Sequence, residues 1–158
     1  MGDSFCVALI PAYEPDNLLL DLLHDLRVAG IKAVVVDDGS GPDFAGIFKQ
    51  ACELATVLSY EQNQGKGHAL KFGLNYINEH IQGRYVVVTL DADGQHRVED
   101  AERVCDAAQR QPGTLVLGSR KQGNGSPLRS RLGNFVTRKV YSLSTGHTVY
   151  DTQTGLRA

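Results

Sequence analysis

The chain has 158 residues, 42% of them hydrophobic and 22% charged, with a net charge of −2. That length suits one domain with a real core, and the composition excludes a disordered chain and gives no basis for bulk nucleic-acid binding. No apolar run reaches the roughly 18–20 residues of a membrane span, and no signal-peptide pattern precedes Phe5.

Phe5-Cys6-Val7-Ala8-Leu9-Ile10 is a continuous apolar run, which predicts a buried first strand stopped by Pro11. After the loop Pro11-Ala12-Tyr13-Glu14-Pro15, Asp16 is placed to cap a helix over residues 17–29. Leu18, Leu19, Leu22, Leu23 and Leu26 recur there at helical spacing, and Gly30 closes the helix. A second strand over residues 32–36 empties into Asp37-Asp38-Gly39-Ser40. A helix over residues 43–54 leads to a third strand over residues 56–60, and the loop Glu61-Gln62-Asn63-Gln64-Gly65-Lys66-Gly67 opens a helix reaching His80.

The fourth strand, Tyr85-Val86-Val87-Val88-Thr89-Leu90, presents Asp91 and Asp93 one residue apart, followed by Gly94, Gln95 and His96. A helix over residues 98–109, a fifth strand over 115–117, a glycine- and basic-rich loop over 118–127 and a helix over 128–144 follow. Residues 149–158 read as the start of a strand or turn, as if cut from something longer. Strands alternating with helices of about 10–15 residues predict a parallel α/β sheet covered on both faces. The three cysteines, Cys6, Cys52 and Cys105, are odd in number and widely spaced, and read as reduced, buried thiols of a cytosolic protein.

In open parallel sheets ligands bind at the carboxyl ends of the strands, and the polar clusters fall there. Strand one delivers Tyr13 and Glu14, strand two Asp37 and Asp38, strand four Asp91, Asp93 and Gln95, and strand five Ser119 and Arg120. Asp91, Asp93 and Gln95 alternate, so all three can turn to one side of an extended segment. Their hard oxygen donors suit Mg²⁺ or Mn²⁺; zinc is disfavoured because no cysteine or histidine pair has ligand spacing. The alternative is that Asp91 caps the next turn and Asp93-Gly94 makes it. Asp37-Asp38-Gly39-Ser40 is equally open to being a turn with a cap, or a carboxylate that accepts from a base N–H or a ribose hydroxyl. Gly65-Lys66-Gly67 lacks Walker spacing, and either brings a lysine and a helix N-terminus toward a nucleotide or is a solvated loop. Arg120, Lys121, Arg129, Arg131, Arg138 and Lys139 concentrate positive charge suited to phosphate, with a solvated helix face as the alternative for the last two. His96 lies close to the acidic pair, either lining the site or packing.

Six motifs in this order resemble the catalytic domain of a family 2 glycosyltransferase with a GT-A fold, nearest the dolichol-phosphate mannosyltransferase-like branch of polyprenyl-phosphate sugar transferases. They are Pro11-Ala12-Tyr13-Glu14, Val36-Asp37-Asp38-Gly39-Ser40, Asn63-Gln64-Gly65-Lys66-Gly67, Leu90-Asp91-Ala92-Asp93-Gly94-Gln95-His96, Gly118-Ser119-Arg120 and Asp151-Thr152-Gln153-Thr154-Gly155-Leu156-Arg157. The resemblance implies a three-layer α/β/α sandwich with a mostly parallel central sheet. It implies that Pro11, Ala12, Tyr13, Glu14 and Asp38 hold the nucleotide, with Lys66 and Ala92 on the donor. Asp91 and Asp93 would bind the metal bridging the donor diphosphate, Gln95 would join them, and Arg120 and Arg131 would contact phosphates. Asp151 stands where the branch carries an aspartate near the acceptor, and is the candidate base.

The implied reaction moves a hexosyl group, with inversion, from a nucleotide-diphosphate sugar to a polyprenyl phosphate, with Mg²⁺ or Mn²⁺ as cofactor. The resemblance further implies a single catalytic domain over residues 1–158, shortened at its C-terminal end. Its place would be the cytoplasm, with peripheral association at the inner face of the cell membrane through the missing part. Two alternatives stand beside this reading: a nucleotide-sugar-binding module without turnover, and a haloacid-dehalogenase-type phosphatase, which also follows an apolar strand with Asp-x-Asp-Gly.

Overall fold

The apolar runs become strands of one sheet. In the computed structural model, which describes residues 4–118 and 156–158, these are β1 (Phe5–Ala12), β2 (Lys32–Asp38), β3 (Thr56–Tyr60) and β4 (Tyr85–Thr89). All four run parallel, in the order β3-β2-β1-β4. The connections are α1 (Leu18–Val28), a 3₁₀ turn (Pro42–Phe44) running into α2 (Ala45–Ala51), and α3 (Lys66–His80); α4 (Val98–Arg110) follows β4.

Side chains alternate across a strand, so each strand feeds two cores. Ala8, Ile10 and Ala12, with Ala33, Val35 and Val88, belong to the core that holds Leu19, Leu22, Leu23 and Leu26 of α1, Phe48 of α2 and Val104 of α4. Val7, Leu9, Val34 and Val36 point the other way, into a smaller core with Ala69 and Ile77 of α3. Gly73 lets α3 approach this face closely, since a Cβ there would lie 3.0 Å from Val36 Cγ2 and overlap Leu9. The result is the three-layer α/β/α sandwich expected, with burial on both sheet faces explaining why the strands read as unbroken apolar runs.

Local signals hold at α1. Asp16 Oδ1 accepts from the Leu18 amide at 2.9 Å, and Gly30, at φ 74°, closes the C-terminus with Ile31 N–H donating to Leu26 O and Gly30 N–H to Arg27 O. Other boundaries move. β1 does not stop at Pro11 but continues to Ala12, with Pro11 paired to Val36. Leu9 O accepts from Leu90 N, so Pro11, two residues on, turns its missing N–H to the side where β4 pairing has ended. The second helix is shorter than expected, because the 3₁₀ turn takes its start and residues 53 and 54 bond three residues back.

The expected fifth strand is not a parallel member of the sheet. Residues 115–117 pair antiparallel with 156–158, which in turn bond to the outer edge of β4 through Thr89 N–H to Arg157 O at 2.7 Å. Parallel order therefore ends at β4. The cysteine reading is also corrected: Cys6 of β1 and Cys105 of α4 form a disulfide, with Cα atoms 6.2 Å apart, and Cys52 is an exposed thiol. Packing of α4 over β4, the neighbour of β1 in the sheet, brings together residues 99 positions apart, a proximity that spacing along the chain does not reveal. Among the described residues no helix is long and apolar enough to cross a membrane. The predicted helix over 128–144 lies outside the described residues.

Candidate functional site

The chain goes from β1 outward to β2 and β3, then returns to the other side of β1 as β4. The connections diverge at the carboxyl ends of β1 and β4, which opens a crevice there. A cleft of about 280 Å³ occupies it, lined by Pro11, Tyr13, Glu14, Pro15 and Asp16 from the β1 side and Asp91, Ala92 and Asp93 from the β4 side. Of the thirteen candidate site residues, the structure thus brings Pro11, Tyr13, Glu14, Asp91, Ala92 and Asp93 to one cavity. Ala12 is buried in the core beneath it. Arg120, Arg131 and Asp151 lie outside the described residues.

The end of β2 is built as a latch. Parallel register sets Tyr60 beside Asp38, and the buried Asp38 carboxylate accepts from Tyr60 Oη at 2.7 Å and from the Gln64 amide at 2.8 Å, both at Oδ1. Asn63 Nδ2 reaches Oδ2 at 3.4 Å. Burial first, then the bond to Asp38 and its negative charge, raises the Tyr60 phenol well above its ordinary value, so Tyr60 stays a donor. Gly39, at φ 68°, lies so close beneath the loop that a Cβ would come within 2.5 Å of Gln62 C. Asp37 Oδ1 accepts from Ser40 N at 2.9 Å, and Ser40 Oγ accepts from Glu14 N at 2.9 Å, tying the β1 loop to the β2 loop. The turn reading of Asp37-Asp38-Gly39-Ser40 therefore holds, and its second carboxylate organises the loop that precedes α3. Glu14 is held there at φ 48°, unusual for a non-glycine residue. Its side chain raises the Tyr13 phenol through a hydrogen bond and through its charge.

The latched loop leads into Lys66, the first residue of α3, whose Nζ pairs with Asp91 Oδ1. His96, buried, sets Nε2 3.5 Å from Asp91 Oδ2. The His96 contact first, and the Lys66 ammonium with it, hold the Asp91 carboxyl far below the usual carboxylate range against the opposing effect of partial burial. Asp93 Oδ1 accepts from Gln95 N at 3.0 Å, and Gly94 at φ 68° packs on Leu18, so Asp93-Gly94 does make a tight turn. Gln95 is exposed on that turn, one residue before His96.

The donors facing the cleft fit a hard dication. Glu14, Asp16, Asp91 and Asp93 are its carboxylate-bearing residues, and among the described residues no sulfur or imidazole lines it. Among the described residues no three His, Cys, Asp or Glu side chains are gathered as a metal cage. Two carboxylates with phosphate oxygens and water completing the shell is the pattern Mg²⁺ favours.

The family profile described as glycosyl transferase family 2 matches residues 7–157. The chain belongs to glycosyl transferase family 2. It is 30% identical over 178 residues to UDP-N-acetylglucosamine–dolichyl-phosphate N-acetylglucosaminyltransferase of Methanococcus voltae, covering 100% of this chain and 70% of that protein. An uncharacterized protein of Methanocaldococcus jannaschii is 33% identical over 155 residues, covering 95% of this chain and 62% of its own. The undecaprenyl-phosphate 4-deoxy-4-formamido-L-arabinose transferase of Edwardsiella ictaluri is 30% identical over 167 residues, covering 98% and 49%. The chain thus spans between about half and about two thirds of the length of these relatives. The crystal structure of S. aureus TarS 1-349 overlays with a TM-score of 0.53 at 18% identity, covering 78% of this chain and 38% of that one, a likeness of fold. The fold is GT-A, as the motifs imply.

Membership in family 2 sets aside the phosphatase alternative. Around the cleft, sequence reasoning assigned no individual role to Tyr60, Gln64 or Ser40, although the last two stand inside motifs it singled out. A tyrosine ending the strand next to an Asp-Asp pair was the available signal for the first. The other two act through a backbone amide and a turn hydroxyl, which carry no residue-specific signature.

Proposed function

We propose that this family 2 chain is the donor-binding catalytic part of a metal-dependent inverting hexosyltransferase. It takes the sugar from a nucleotide-diphosphate sugar and passes it to a polyprenyl phosphate. The observation that carries the donor half is the convergence of Glu14, Asp91 and Asp93 on one cleft at the β1/β4 crevice. The names of the Methanococcus and Edwardsiella relatives, which specify dolichyl and undecaprenyl phosphate acceptors, support the acceptor half.

Asp91 and Asp93, with Gln95, would hold Mg²⁺ or Mn²⁺, which when bound supplies neutralisation of the leaving diphosphate. Lys66 brings a further positive charge from the N-terminus of α3, where a helix already favours anions. Pro11, Tyr13 and Glu14 form the wall for the nucleoside, with Ala12 buried behind them, and Asp38 fixes the loop beside it. Arg120 and Arg131 are proposed phosphate contacts. A phosphate acceptor is already anionic near neutral pH, so its oxygen attacks without full deprotonation, and Asp151 has at most an assisting role as base. The proposed place of action is the cytoplasmic face of the membrane, where a lipid phosphate presents its head group.

The test is a thermal-shift panel of UDP- and GDP-sugars, with and without Mn²⁺. Ligand at about a hundred times its Kd adds roughly 2.7 kcal/mol to stability. One nucleotide sugar should raise the melting temperature, and only with Mn²⁺; nucleoside diphosphate should then be released when a polyprenyl phosphate is added. A panel that shifts nothing, with or without the ion, refutes the donor assignment. A donor that binds but never turns over with any polyprenyl phosphate makes the chain a binding module.

A further inference from the structure

The acidic cleft already carries a cation of its own. Lys66 Nζ sits on Asp91 Oδ1, with the two side chains 53% and 29% exposed. The lysine is not there by the reach of a loose side chain alone. Its loop is anchored two residues earlier, where the Gln64 amide donates to the buried Asp38, and Gly39 presses on the neighbouring Gln62 and Asn63 backbone. On the opposite side, His96 faces Asp91 Oδ2. Four acidic residues, Glu14, Asp16, Asp91 and Asp93, line the cleft, and among the described residues that line it none is basic. The lining is acidic, and Lys66 brings an ammonium to the carboxylate proposed to take the metal.

We propose that Lys66 is a place-holding counter-ion: it occupies Asp91 while the cleft is empty and moves to the diphosphate when the donor arrives. This rests on the donor-site reading above. It makes the metal and the nucleotide bind as a coupled pair, because each is needed to draw Lys66 and Asp91 apart. The dication alone must compete with an ammonium already in place. The diphosphate alone must enter an acidic cleft. Together, the metal replaces Lys66 on Asp91 while the phosphates offer Lys66 a new anion. Coupling of this kind is reciprocal, so the metal strengthens nucleotide binding by the same factor as nucleotide strengthens metal binding.

The experiment titrates the whole chain with Mn²⁺, following free Mn²⁺ by electron paramagnetic resonance, in wild type, Lys66→Met, Lys66→Gln and Asp91→Asn. Without nucleotide, both Lys66 variants should bind Mn²⁺ more tightly. A unit charge a few ångström from a dication lowers affinity on the order of tenfold even at the dielectric of water. With UDP or GDP as the second ligand, the same variants should bind the nucleotide more weakly, and the mutual strengthening should shrink. Equal or weaker Mn²⁺ binding in both Lys66 variants, with Asp91→Asn still losing it, overturns the place-holder and leaves the metal site standing. Unchanged binding in Asp91→Asn, or no Mn²⁺ bound by wild type even with UDP and GDP, overturns the donor-site reading itself. Melting curves of each variant separate either result from misfolding, and Lys66 is exposed enough that both substitutions should fold.

Discussion

Gly39→Ala is the substitution most informative about how the site is assembled. The position has φ 68°, where a Cβ costs roughly 1–2 kcal/mol in backbone conformation. The same Cβ meets main chain, Gln62 C at 2.5 Å and the Asn63 amide closer still, so no side-chain rotation relieves it. The loop must retreat, which strains packing by about 1–3 kcal/mol and loosens the Gln64 amide on Asp38. The sum is about 3 kcal/mol, or a fall in melting temperature of roughly 6–12 °C for a chain of this size.

Gly30 supplies the control. It has φ 74° at the C-terminal end of α1, and a Cβ there meets nothing within 4 Å, so Gly30→Ala should show the conformational cost of about 1–2 kcal/mol alone, roughly 2–8 °C. Far-UV circular dichroism during heating gives both values. The loop displaced by Gly39→Ala leads into Lys66, so UDP or GDP binding should weaken in that variant and persist in Gly30→Ala. Equal melting temperatures for the two alanine variants would refute the argument that loop contact, rather than backbone conformation, makes Gly39 necessary.

Three further outcomes follow from single contacts. Asp91 has its carboxyl pKa depressed on folding, so its contribution is complete above the unfolded value near 4 and is lost as pH falls through the lower folded value. The stability gap between wild type and Asp91→Asn, about 0.5–1 kcal/mol for so exposed a pair, should shrink as pH falls below about 4 in urea titrations. Tyr60→Phe should cost about 1 kcal/mol by removing the bond to Asp38. Because folding raises the Tyr60 pKa, that gap should hold below about pH 10 and close above it; a gap that persists at higher pH contradicts the assignment. Alkylation of the denatured protein without reductant should label one cysteine, Cys52, and with reductant all three, as mass spectrometry reads directly. Cys105→Ser should then lower stability by about 2–4 kcal/mol.

Much of this architecture is legible along the chain because its causes are local. Continuous apolar runs mark strands buried on both faces, leucines at helical spacing mark α1, and Gly30 marks where it stops. The clusters Pro11–Glu14, Asp37–Ser40 and Asp91–Gln95 stand at strand ends, and in a parallel sheet those ends share one edge. Sequence by itself therefore determined the fold class, the family and the edge at which the site lies.

What tertiary structure decided is which groups meet there. Asp38 stands beside Tyr60 because of the β2/β3 register, and Lys66 meets Asp91 because α3 starts across the β4 loop. The Cys6–Cys105 bond needs α4 laid over β4 beside β1, and the antiparallel pairing of 115–117 with 156–158 needs a segment from the far end of the chain. Local propensity is set by neighbours a few residues away. These contacts are set by how strands align and which face a helix covers, and a carboxylate that looks open to ligand in sequence proves to hold a loop only once that alignment exists.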